Sequence, residues 1–412
     1  MRRLAAVLAL VLALGACSLS RPASTLTLGA VYPLSGPQAQ GAREELAGFE
    51  AALALAQREG LAEASRVRLR VIDAQTPDAA VQAVDTLMAA HVPLIAGTYG
   101  STLAVPAAAR ADAGQTVYWE NGAVADEETA HRSYVFRTVA TGSTLGRIAA
   151  QFTARVLLAR DKLTAAGSRV VIVHTDDVYG QSVALGETSQ ARADGFKDVR
   201  QVAYDPHAYD PGGIAEQVKA LAPDYLWDVS YLDDGVAIWQ ALEAAGVHVR
   251  AAVGTSSAFC MPDFARRVGP LAVGVYAADK PDGASVPPNA LLDSGRSLLA
   301  QASAIYAARQ GEPMSIPAVA GFVGGWTLFH DVLPKVRGAI TPDSLRAAAY
   351  AVNVNYGQAI NGGGVRFAPA GQPDAGQNRR AAAVVGEWIR GLEETQPVVM
   401  KVVYPPAYAA GG

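Results

Sequence analysis

Short apolar segments alternate with Ala-rich helical segments over most of the chain, from Arg21 to about Val275. The first unit consists of a strand at residues 26–31, a polar loop at 32–37 and a helical pattern from about Gln40 to Gln57. Strands separated by roughly 10 to 20 helical residues are typical of βαβ units, because parallel neighbours need long crossovers. The pattern therefore predicts an α/β fold with parallel sheets.

The pattern restarts near Val135, which predicts two lobes rather than one continuous sheet. The strands expected before this point are residues 26–31, 67–73, 93–97 and 116–119. After a segment at 135–138, a second series of strands is expected at residues 169–174, 199–203, 225–229 and 250–253. The apolar centre of 169–174 is typical of a strand that is buried on both faces. We therefore expect two doubly wound parallel-sheet lobes with a hinge and an interlobe cleft.

The last third of the chain is less regular. It contains a strand at 274–278, a Pro/Gly-rich loop at 282–288, three helical patterns at about 289–309, 317–336 and 342–351, and two strands at 381–388 and 398–403. Three crossings between the lobes are expected, near Thr138, Tyr276 and Val352. The first lobe would then comprise residues 26–138 and about 277–352, and the second lobe residues 139–276 and about 353–404.

Residues 1–16 have the pattern of an export signal. Arg2 and Arg3 precede an apolar stretch at 4–14 that is too short to span a membrane. The segment Leu14-Gly15-Ala16-Cys17 resembles a bacterial lipobox, and this resemblance implies cleavage before Cys17 and a lipid on its sulfur. We therefore expect an extracytoplasmic protein, in the periplasm or at the cell surface, that is anchored to a membrane through Cys17. The alternative is a freely secreted protein.

Charge and cysteine content exclude some classes of protein. The formal net charge is -4, and removal of Arg2 and Arg3 with the signal would make it -6. A mildly acidic chain without a Lys/Arg cluster argues against nucleic acid as a partner. Only Cys260 remains besides Cys17, so a protein lipidated at Cys17 can form no internal disulfide.

Sequence motifs for catalysis are missing. The chain has no phosphate-binding loop, no Gly-x-Gly-x-x-Gly after the first strand and no His-Glu-x-x-His. Its six histidines have no metal-ligand spacing. His174 lies near Asp176 and Asp177, but such a group is more often a solvated turn after a strand. We therefore predict no catalytic residue, no metal and no cofactor.

Hydroxyl and aromatic side chains recur where the predicted strands end. In the first half they are Ser35 after the first strand, Tyr99, Ser101 and Thr102 after the third, and residues 119–123 after the fourth. In the second half they are Tyr179, Ser230, Tyr231 and residues 255–257. The carboxyl ends of parallel strands share one edge, and a small-molecule pocket needs a few convergent polar groups. These residues predict a solute-binding cleft.

Several segments together resemble type I periplasmic solute-binding proteins of the branched-chain amino acid (Leu/Ile/Val) family, which serve ABC transporters. The matching segments are Pro33-Leu34-Ser35-Gly36-Pro37, Phe136-Arg137-Thr138, the run from Val173 to Gln181, Pro223-Asp224-Tyr225-Leu226 with Tyr231, and Gly364-Val365-Arg366-Phe367. The similarity covers about residues 26–404. It implies a monomeric binding protein that closes on a small-molecule solute by a hinge and delivers it to an ABC permease in the membrane.

The resemblance also implies roles for single residues. Ser101, Thr102 and residues 121–123 stand where the family holds the ligand carboxylate, and Tyr179 and Tyr231 would close from the second lobe. Amino-acid binders use an acid after the strand at 250–253 for the ligand ammonium, whereas this chain has Ser256 there. The expected ligand-binding residues are Ser101, Thr102, Trp119, Glu120, Asn121, Ala123, Tyr179, Tyr231 and Ser256.

The missing acid leaves the identity of the solute open. Glu120 could supply the charge from the first lobe, as could Asp228 or Asp233 from the second. An apolar, aromatic or amide solute is equally compatible with Trp119 and the tyrosines. The predicted function is capture of an amino acid or a related small apolar or amide solute for an ABC importer. A ligand-sensing receptor module of the same fold and, less favoured, a cleft hydrolase are the alternatives.

Overall fold

The computed structural model describes residues 25–283, 285–393 and 396–409. The predicted export signal and Cys17 lie outside this part of the chain. Within it, strands form one five-stranded and one seven-stranded sheet.

The five-stranded sheet belongs to the first lobe and has the order β2-β1-β3-β4-β5. All of its strand pairs are parallel. Its strands are β1 Leu26–Tyr32, β2 Val67–Asp73, β3 Leu94–Ala96, β4 Val117–Glu120 and β5 Val135–Arg137.

The seven-stranded sheet belongs to the second lobe and has the order β12-β11-β10-β9-β8-β6-β7. Its strands are β6 Arg169–Thr175, β7 Asp198–Tyr204, β8 Tyr225–Val229, β9 Ala251–Thr255, β10 Tyr276–Asp279, β11 Val384–Glu393 and β12 Gln396–Tyr404. Strands β6 to β10 pair in parallel, while β11 pairs antiparallel with both β10 and β12. Only two residues separate β11 from β12 in the sequence, too few for a parallel crossover, which accounts for the antiparallel edge.

Helices connect the strands in both lobes. Those of the first half of the chain are α1 Ala39–Arg58, α2 Ala62–Arg66, α3 Pro77–Ala89, α4 Ser101–Ala113, α5 Gly142–Phe152 and α6 Leu158–Asp161. Those of the second half are α7 Val178–Ala193, α8 Pro211–Leu221, α9 Leu232–Ala244, α10 Pro262–Val268, α11 Asp293–Gln310, α12 Ile316–Trp326 and α13 Pro342–Tyr350. Wider π-helical turns at Thr153–Leu157 and Thr327–Val332 continue α5 and α12.

Both faces of each sheet are covered by apolar side chains. In β1, Leu28 and Ala30 belong to one buried cluster and Val31 to another. In β6, Val171 and Ile172 are likewise divided between two clusters. Successive residues of a strand point to opposite faces, so this division requires helices on both sides of the sheet. The predicted α/β class with two doubly wound lobes is confirmed.

One helical stretch of the described residues, Ile316–Lys335, is long and apolar enough to cross a membrane by length and composition. Its most apolar part is 83% buried inside the protein. Val319, Phe322 and Phe329 of this stretch pack in the core of the first lobe. The stretch therefore has the surroundings of a core helix.

The second crossing between the lobes follows β10, later than the sequence suggests. All residues of β10 pair with β9 or β11 in the seven-stranded sheet. A strand remains in the lobe whose sheet binds its backbone, so the chain leaves the second lobe after Asp279 rather than near Tyr276.

The third crossing is also later than expected near Val352. Ile360, Val365 and Phe367 are buried in the apolar core of the first lobe. The Phe367 ring packs edge-on against Trp119, with their centroids 5.4 Å apart. Burial of these apolar side chains ties the segment to the first lobe. The chain reaches the second lobe only between Asn378 and the start of β11 at Val384.

The first and third crossings run side by side. Arg137 donates from Nε to Oε1 of Gln377 at 2.7 Å, and Gln377 donates from Nε2 to the Val139 carbonyl at 2.8 Å. Asn378 donates from Nδ2 to the Thr138 carbonyl, also at 2.8 Å. These bonds join the two connections between the lobes.

Candidate functional site

A cleft between the lobes is the candidate binding site. Loops after β3 and β4 and the helices α1 and α12 line it from the first lobe, and loops after β6, β8, β9 and β10 line it from the second. Its cavity volume is about 20 Å³. A single water needs at least about 10 to 15 Å³, so the lobes lie nearly closed and a solute can enter only when they separate.

Five of the nine predicted site residues line this cleft. They are Ser101, Ala123, Tyr179, Tyr231 and Ser256. The other four, Thr102, Trp119, Glu120 and Asn121, lie outside the lining. The structure therefore brings residues from the ends of β3, β4, β6, β8 and β9 to one place.

Glu120 organises the loop that follows β4. Its Oε1 accepts the N–H groups of Asn121, Gly122 and Ala123 at 2.9, 2.7 and 2.9 Å. Its Oε2 accepts the N–H of Thr98 at 2.7 Å, which ties this loop to the loop after β3. The sequence predicts that the N–H groups of residues 121–123 hold a solute carboxylate. In this arrangement they bind the protein's own carboxylate instead.

Ser101 is similarly engaged by the protein. Its Oγ accepts the N–H groups of Val124 and Ala125 at 3.2 and 3.1 Å. A serine hydroxyl can accept and donate at the same time, so its O–H remains able to donate to a solute in the cleft.

Trp119 and Asn121 affect the cleft through α12. Trp119 donates from Nε1 to the Gly324 carbonyl at 3.1 Å, and its ring packs against Phe136 and Phe367. A Cβ on Gly324 would overlap Oδ1 of Asn121, so this glycine allows the helix to approach β4 closely. Both side chains thus fix α12, whose Ile316, Pro317 and Ala320 line the cleft.

Two tyrosines with tilted, contacting rings form the second-lobe wall. The rings of Tyr179 and Tyr231 lie 5.2 Å apart. Tyr179 donates from its hydroxyl to the Thr255 carbonyl at 2.6 Å, and Tyr231 donates to Oδ2 of Asp177 at 2.8 Å. The other carboxylate oxygen of Asp177 accepts the Gly180 N–H, which caps α7. Hydrogen bonds therefore hold both side chains in place, and their aromatic rings line the cleft.

Asp279 and Lys280 bring charges into the cleft that the sequence analysis missed. Both side chains are buried, and Lys280 Nζ lies 3.2 Å from Oδ1 of Asp279. The Cys260 thiol donates to Oδ2 of Asp279 at 2.7 Å. Burial raises the pKa of this thiol, and the neighbouring Asp279 raises it further. Lys280 also donates to the Gly122 carbonyl at 3.4 Å, across the two lobes. Polar residues that directly follow parallel strands meet at one edge of the sheet, and applying this strand-end rule to β10 finds both residues.

Glu45 is the second carboxyl group of the cleft that was missed. It lies on α1 between apolar residues and is fully buried. Its Oε1 accepts a hydrogen bond from the Tyr32 hydroxyl at 3.2 Å. Burial, followed by the nearby Glu120 charge, raises the pKa of Glu45 well above its usual range. The signal in the sequence was a glutamate on the apolar face that holds Ala42, Leu46 and Phe49.

The alternative acids from the second lobe do not line the cleft. Asp233 is exposed and pairs with Arg267 at 2.5 Å. Asp228 is buried, and this burial raises its pKa to about 8. Among residues 25–283, 285–393 and 396–409, no group of three or more His, Cys, Asp or Glu side chains is placed to hold a metal ion.

Two α/β lobes that close on a cleft lined by hydroxyl, aromatic and charged groups define a solute-binding protein. Comparison with known proteins agrees: residues 25–385 match the periplasmic binding protein family, and the chain belongs to this family. The resemblance to type I periplasmic binding proteins of the Leu/Ile/Val family is confirmed. The chain is therefore a solute-binding protein rather than an enzyme, and its family is extracytoplasmic.

A curated relative and two solved structures cover nearly the whole chain. The Leu/Ile/Val-binding protein homolog 8 of Brucella melitensis is 27% identical over 367 residues, which are 88% of each chain. A branched-chain amino acid transporter substrate-binding protein of Streptococcus pneumoniae, in complex with isoleucine, has a TM-score of 0.72 and 17% identity and covers 93% of this chain and 100% of that one. A solute-binding protein of an ABC transporter from Rhodopseudomonas palustris, in complex with 3,4-dihydroxybenzoic acid, has a TM-score of 0.73 and 17% identity and covers 92% and 96%.

Proposed function

We propose that this chain is a lipid-anchored, monomeric receptor that captures an amino acid or a related small apolar or amide solute for an ABC importer. The observation that supports the proposal is the cleft itself, where apolar walls from both lobes surround a few hydroxyl and charged groups. Such a site suits a small solute that has one polar end and an apolar body.

Hinge closure would couple capture to delivery. A solute that contacts both lobes binds the closed form better than the open form and shifts the equilibrium by that difference in affinity. The permease would recognise the closed form, and lipid on Cys17 would keep the receptor at the membrane. Similar folds hold solutes of two kinds, an aliphatic amino acid and an aromatic acid. The hydroxyl, aromatic and charged groups of the cleft lining make both kinds candidates here, once the lobes separate to admit them.

A thermal-shift screen followed by calorimetry tests this function. The panel contains branched-chain amino acids, their amides, aromatic acids and polyols. A solute at about 100 times its dissociation constant adds about 2.7 kcal/mol to the free energy of unfolding. We expect one class to raise the melting temperature and to bind with one site per chain. Appearance of a product during incubation, or no binding by any class, would contradict the proposal.

The anchor is tested separately, in cells that express the full chain. We expect the protein in the membrane fraction with a lipid on the Cys17 peptide, and a soluble, unlipidated protein after Cys17→Ser. An unmodified Cys17 in the wild-type protein would remove the anchor from the proposal without affecting solute capture.

A further inference from the structure

We propose that Glu45 binds the donor end of the solute, an ammonium group or an amide N–H, from the first lobe. The inference rests on the proposed function, because it assigns one contact within the same cleft. Glu45 would take over the role of the second-lobe acid that binds the ligand ammonium in amino-acid binders, because this chain has Ser256 at that acid's position.

The first observation is that one carboxyl oxygen of Glu45 lacks a hydrogen-bond partner among the described residues. This oxygen is Oε2, and Glu45 lines the cleft and is fully buried. A buried carboxyl oxygen without a partner costs free energy that a donor at this place would recover. A solute N–H group in the cleft supplies that donor.

The second observation is that the other carboxyl groups near the cleft are occupied. Both oxygens of Glu120 accept backbone N–H groups. One oxygen of Asp279 accepts the Lys280 N–H and faces the Lys280 ammonium, and the other accepts the Cys260 thiol. Asp279 and Glu45 are the acids of the cleft lining, so Glu45 is the one with an oxygen available to a solute.

The third observation is that packing fixes Glu45. A Cβ on Gly321 of α12 would overlap the carbonyl oxygen of Glu45, and one on Gly48 of α1 would overlap the Ala318 carbonyl. The two helices therefore touch along their backbones directly beside Glu45. The Tyr32 hydroxyl then orients the carboxyl group. A binding group that is held in place before the solute arrives loses little entropy on binding.

Charge balance favours an ammonium as the donor. Asp279 pairs with Lys280, so Glu45 is the acid of the cleft lining that is left to pair with a cation, which it does in its ionised form. Burial, then Glu120 and more weakly Glu128, raise the pKa of Glu45, whereas Lys280 and the Tyr32 hydroxyl lower it. Binding of an ammonium would therefore ionise Glu45 and release a proton. The hydroxyl of Ser101 is available to the acceptor end of the solute.

The test compares three proteins with five probes by calorimetry at pH 7. The proteins are the wild type, Glu45→Gln and Glu50→Gln, a control on the same helix that is partly exposed and pairs with Arg309. The probes are isoleucine, isoleucinamide, 3-methylpentanoate, 3,4-dihydroxybenzoate and 3,4-dihydroxybenzamide. We expect the wild type to prefer probes that carry an N–H donor.

For the best donor probe, Glu45→Gln should weaken binding at least about tenfold, because a hydrogen bond to a charged group contributes this factor or more. Glu50→Gln should leave the affinity unchanged. If the best donor probe is isoleucine or isoleucinamide, titrations in phosphate and in Tris should show proton release with the wild type and none with Glu45→Gln. Melting temperatures of all three proteins verify folding, and Glu45→Asp should recover part of the lost affinity.

The outcomes separate the two proposals. Equal affinity of the wild type and Glu45→Gln for every bound probe overturns the role of Glu45 and leaves the proposed function intact. A preference of the wild type for 3-methylpentanoate and 3,4-dihydroxybenzoate, which lack an N–H donor, also overturns the role of Glu45 and leaves the proposed function intact. A wild type that binds none of the five probes and no member of the solute screen overturns both.

Discussion

Gly122 and Glu45 lie so close that Oε2 of Glu45 occupies the space where a Cβ on residue 122 would stand. The two residues come from different elements, the loop after β4 and the helix α1. Gly122 adopts an ordinary backbone conformation, so it is the close approach that requires a glycine here. The position of the carboxyl group at the cleft thus depends on a missing side chain.

Gly122→Ala should weaken solute binding while leaving the fold intact. The added methyl group would push the end of the Glu45 side chain away from its position. The methyl group must displace a buried carboxyl group that Tyr32 holds, so we expect a loss of about 1 to 3 kcal/mol in the free energy of unfolding. Affinity for the best donor probe should fall by about tenfold, the value of one charged hydrogen bond.

Calorimetry and urea unfolding measure the two effects. Gly212→Ala is the matched control, because a Cβ at Gly212 makes only ordinary contact with Asp210. Wild-type affinity in Gly122→Ala would show that the place of the Glu45 carboxyl is irrelevant to binding.

Tyr231→Ala should weaken binding because it removes half of the aromatic wall. Its ring packs at a tilt against Tyr179, and its hydroxyl is bound to Asp177. An aromatic pair contributes about 0.5 to 1.5 kcal/mol beyond the burial of its area, so some loss of stability will accompany the loss of affinity. Tyr231→Phe should bind nearly as the wild type if the ring alone contacts the solute.

Tyr179 needs a milder substitution, since it is only 2% exposed. Truncation of such an aromatic residue to alanine costs about 3 to 5 kcal/mol. Tyr179→Phe removes only the bond to the Thr255 carbonyl and keeps the packing. Thermal melts and calorimetry on these variants test the wall. Tyr179→Ala is included if it folds. If both Tyr231→Ala and Tyr179→Ala bind the solute with wild-type affinity, the solute does not bind at this wall.

Much of the fold could be predicted because its signals are local. Each strand from β1 to β12 overlaps a segment that the sequence predicts as a strand, and α1 overlaps an Ala/Leu/Glu helical pattern. The lobe boundaries were harder. Whether Phe367 packs on Trp119 or in the other lobe depends on contacts between residues far apart in the chain, which periodicity does not report.

The site was predicted in part for the same reason. Tyr179, Tyr231 and Ser101 follow strands, and parallel strands bring such residues to one edge. Glu45 comes from the middle of a helix, so the strand-end rule could not find it. The role of Glu120 was out of reach as well, because its carboxylate could point to the cleft or back to its own loop, and only the fold decides.

Cys260 should report closure of the cleft. The thiol is buried against Asp279, and its raised pKa keeps it protonated and unreactive. Alkylation therefore requires the lobes to open. We expect iodoacetamide to modify Cys260 more slowly in the presence of a saturating solute, as measured by mass spectrometry of the Cys260 peptide. A rate that is independent of the solute would mean that closure does not control access to this thiol.

Asp228 should make the protein less stable as the pH rises. It is fully buried, its Oδ2 has no partner among the described residues, and desolvation raises its pKa from 3.8 to about 8. The Ser230 hydroxyl opposes this shift and Asp234 adds to it. A carboxyl group with a raised folded-state pKa binds more protons in the folded than in the unfolded chain. Its contribution is complete below about pH 4 and is lost as the pH rises towards about 8.

Asp228→Asn should therefore flatten the decline of stability with pH. An amide keeps the size of the side chain and does not ionise, so its advantage over the wild type should grow by on the order of 3 kcal/mol between pH 5 and pH 8. Urea unfolding at several pH values measures this difference. Burial raises the pKa of Glu187 in both proteins, so this part of its effect cancels in the comparison. Asp228 raises the same pKa further, and this part is lost with Asp228→Asn and belongs to the measured difference.

Asp198→Asn is the control with the opposite sign. Arg169 and Arg200 hold the pKa of Asp198 below its usual value, so its contribution is present above the unfolded-state pKa and is lost only as the pH falls through the folded-state value. Its substitution should lower stability by the same small amount at pH 5 and pH 8. A wild-type slope that persists in Asp228→Asn would show that Asp228 is ionised in the folded protein throughout this range.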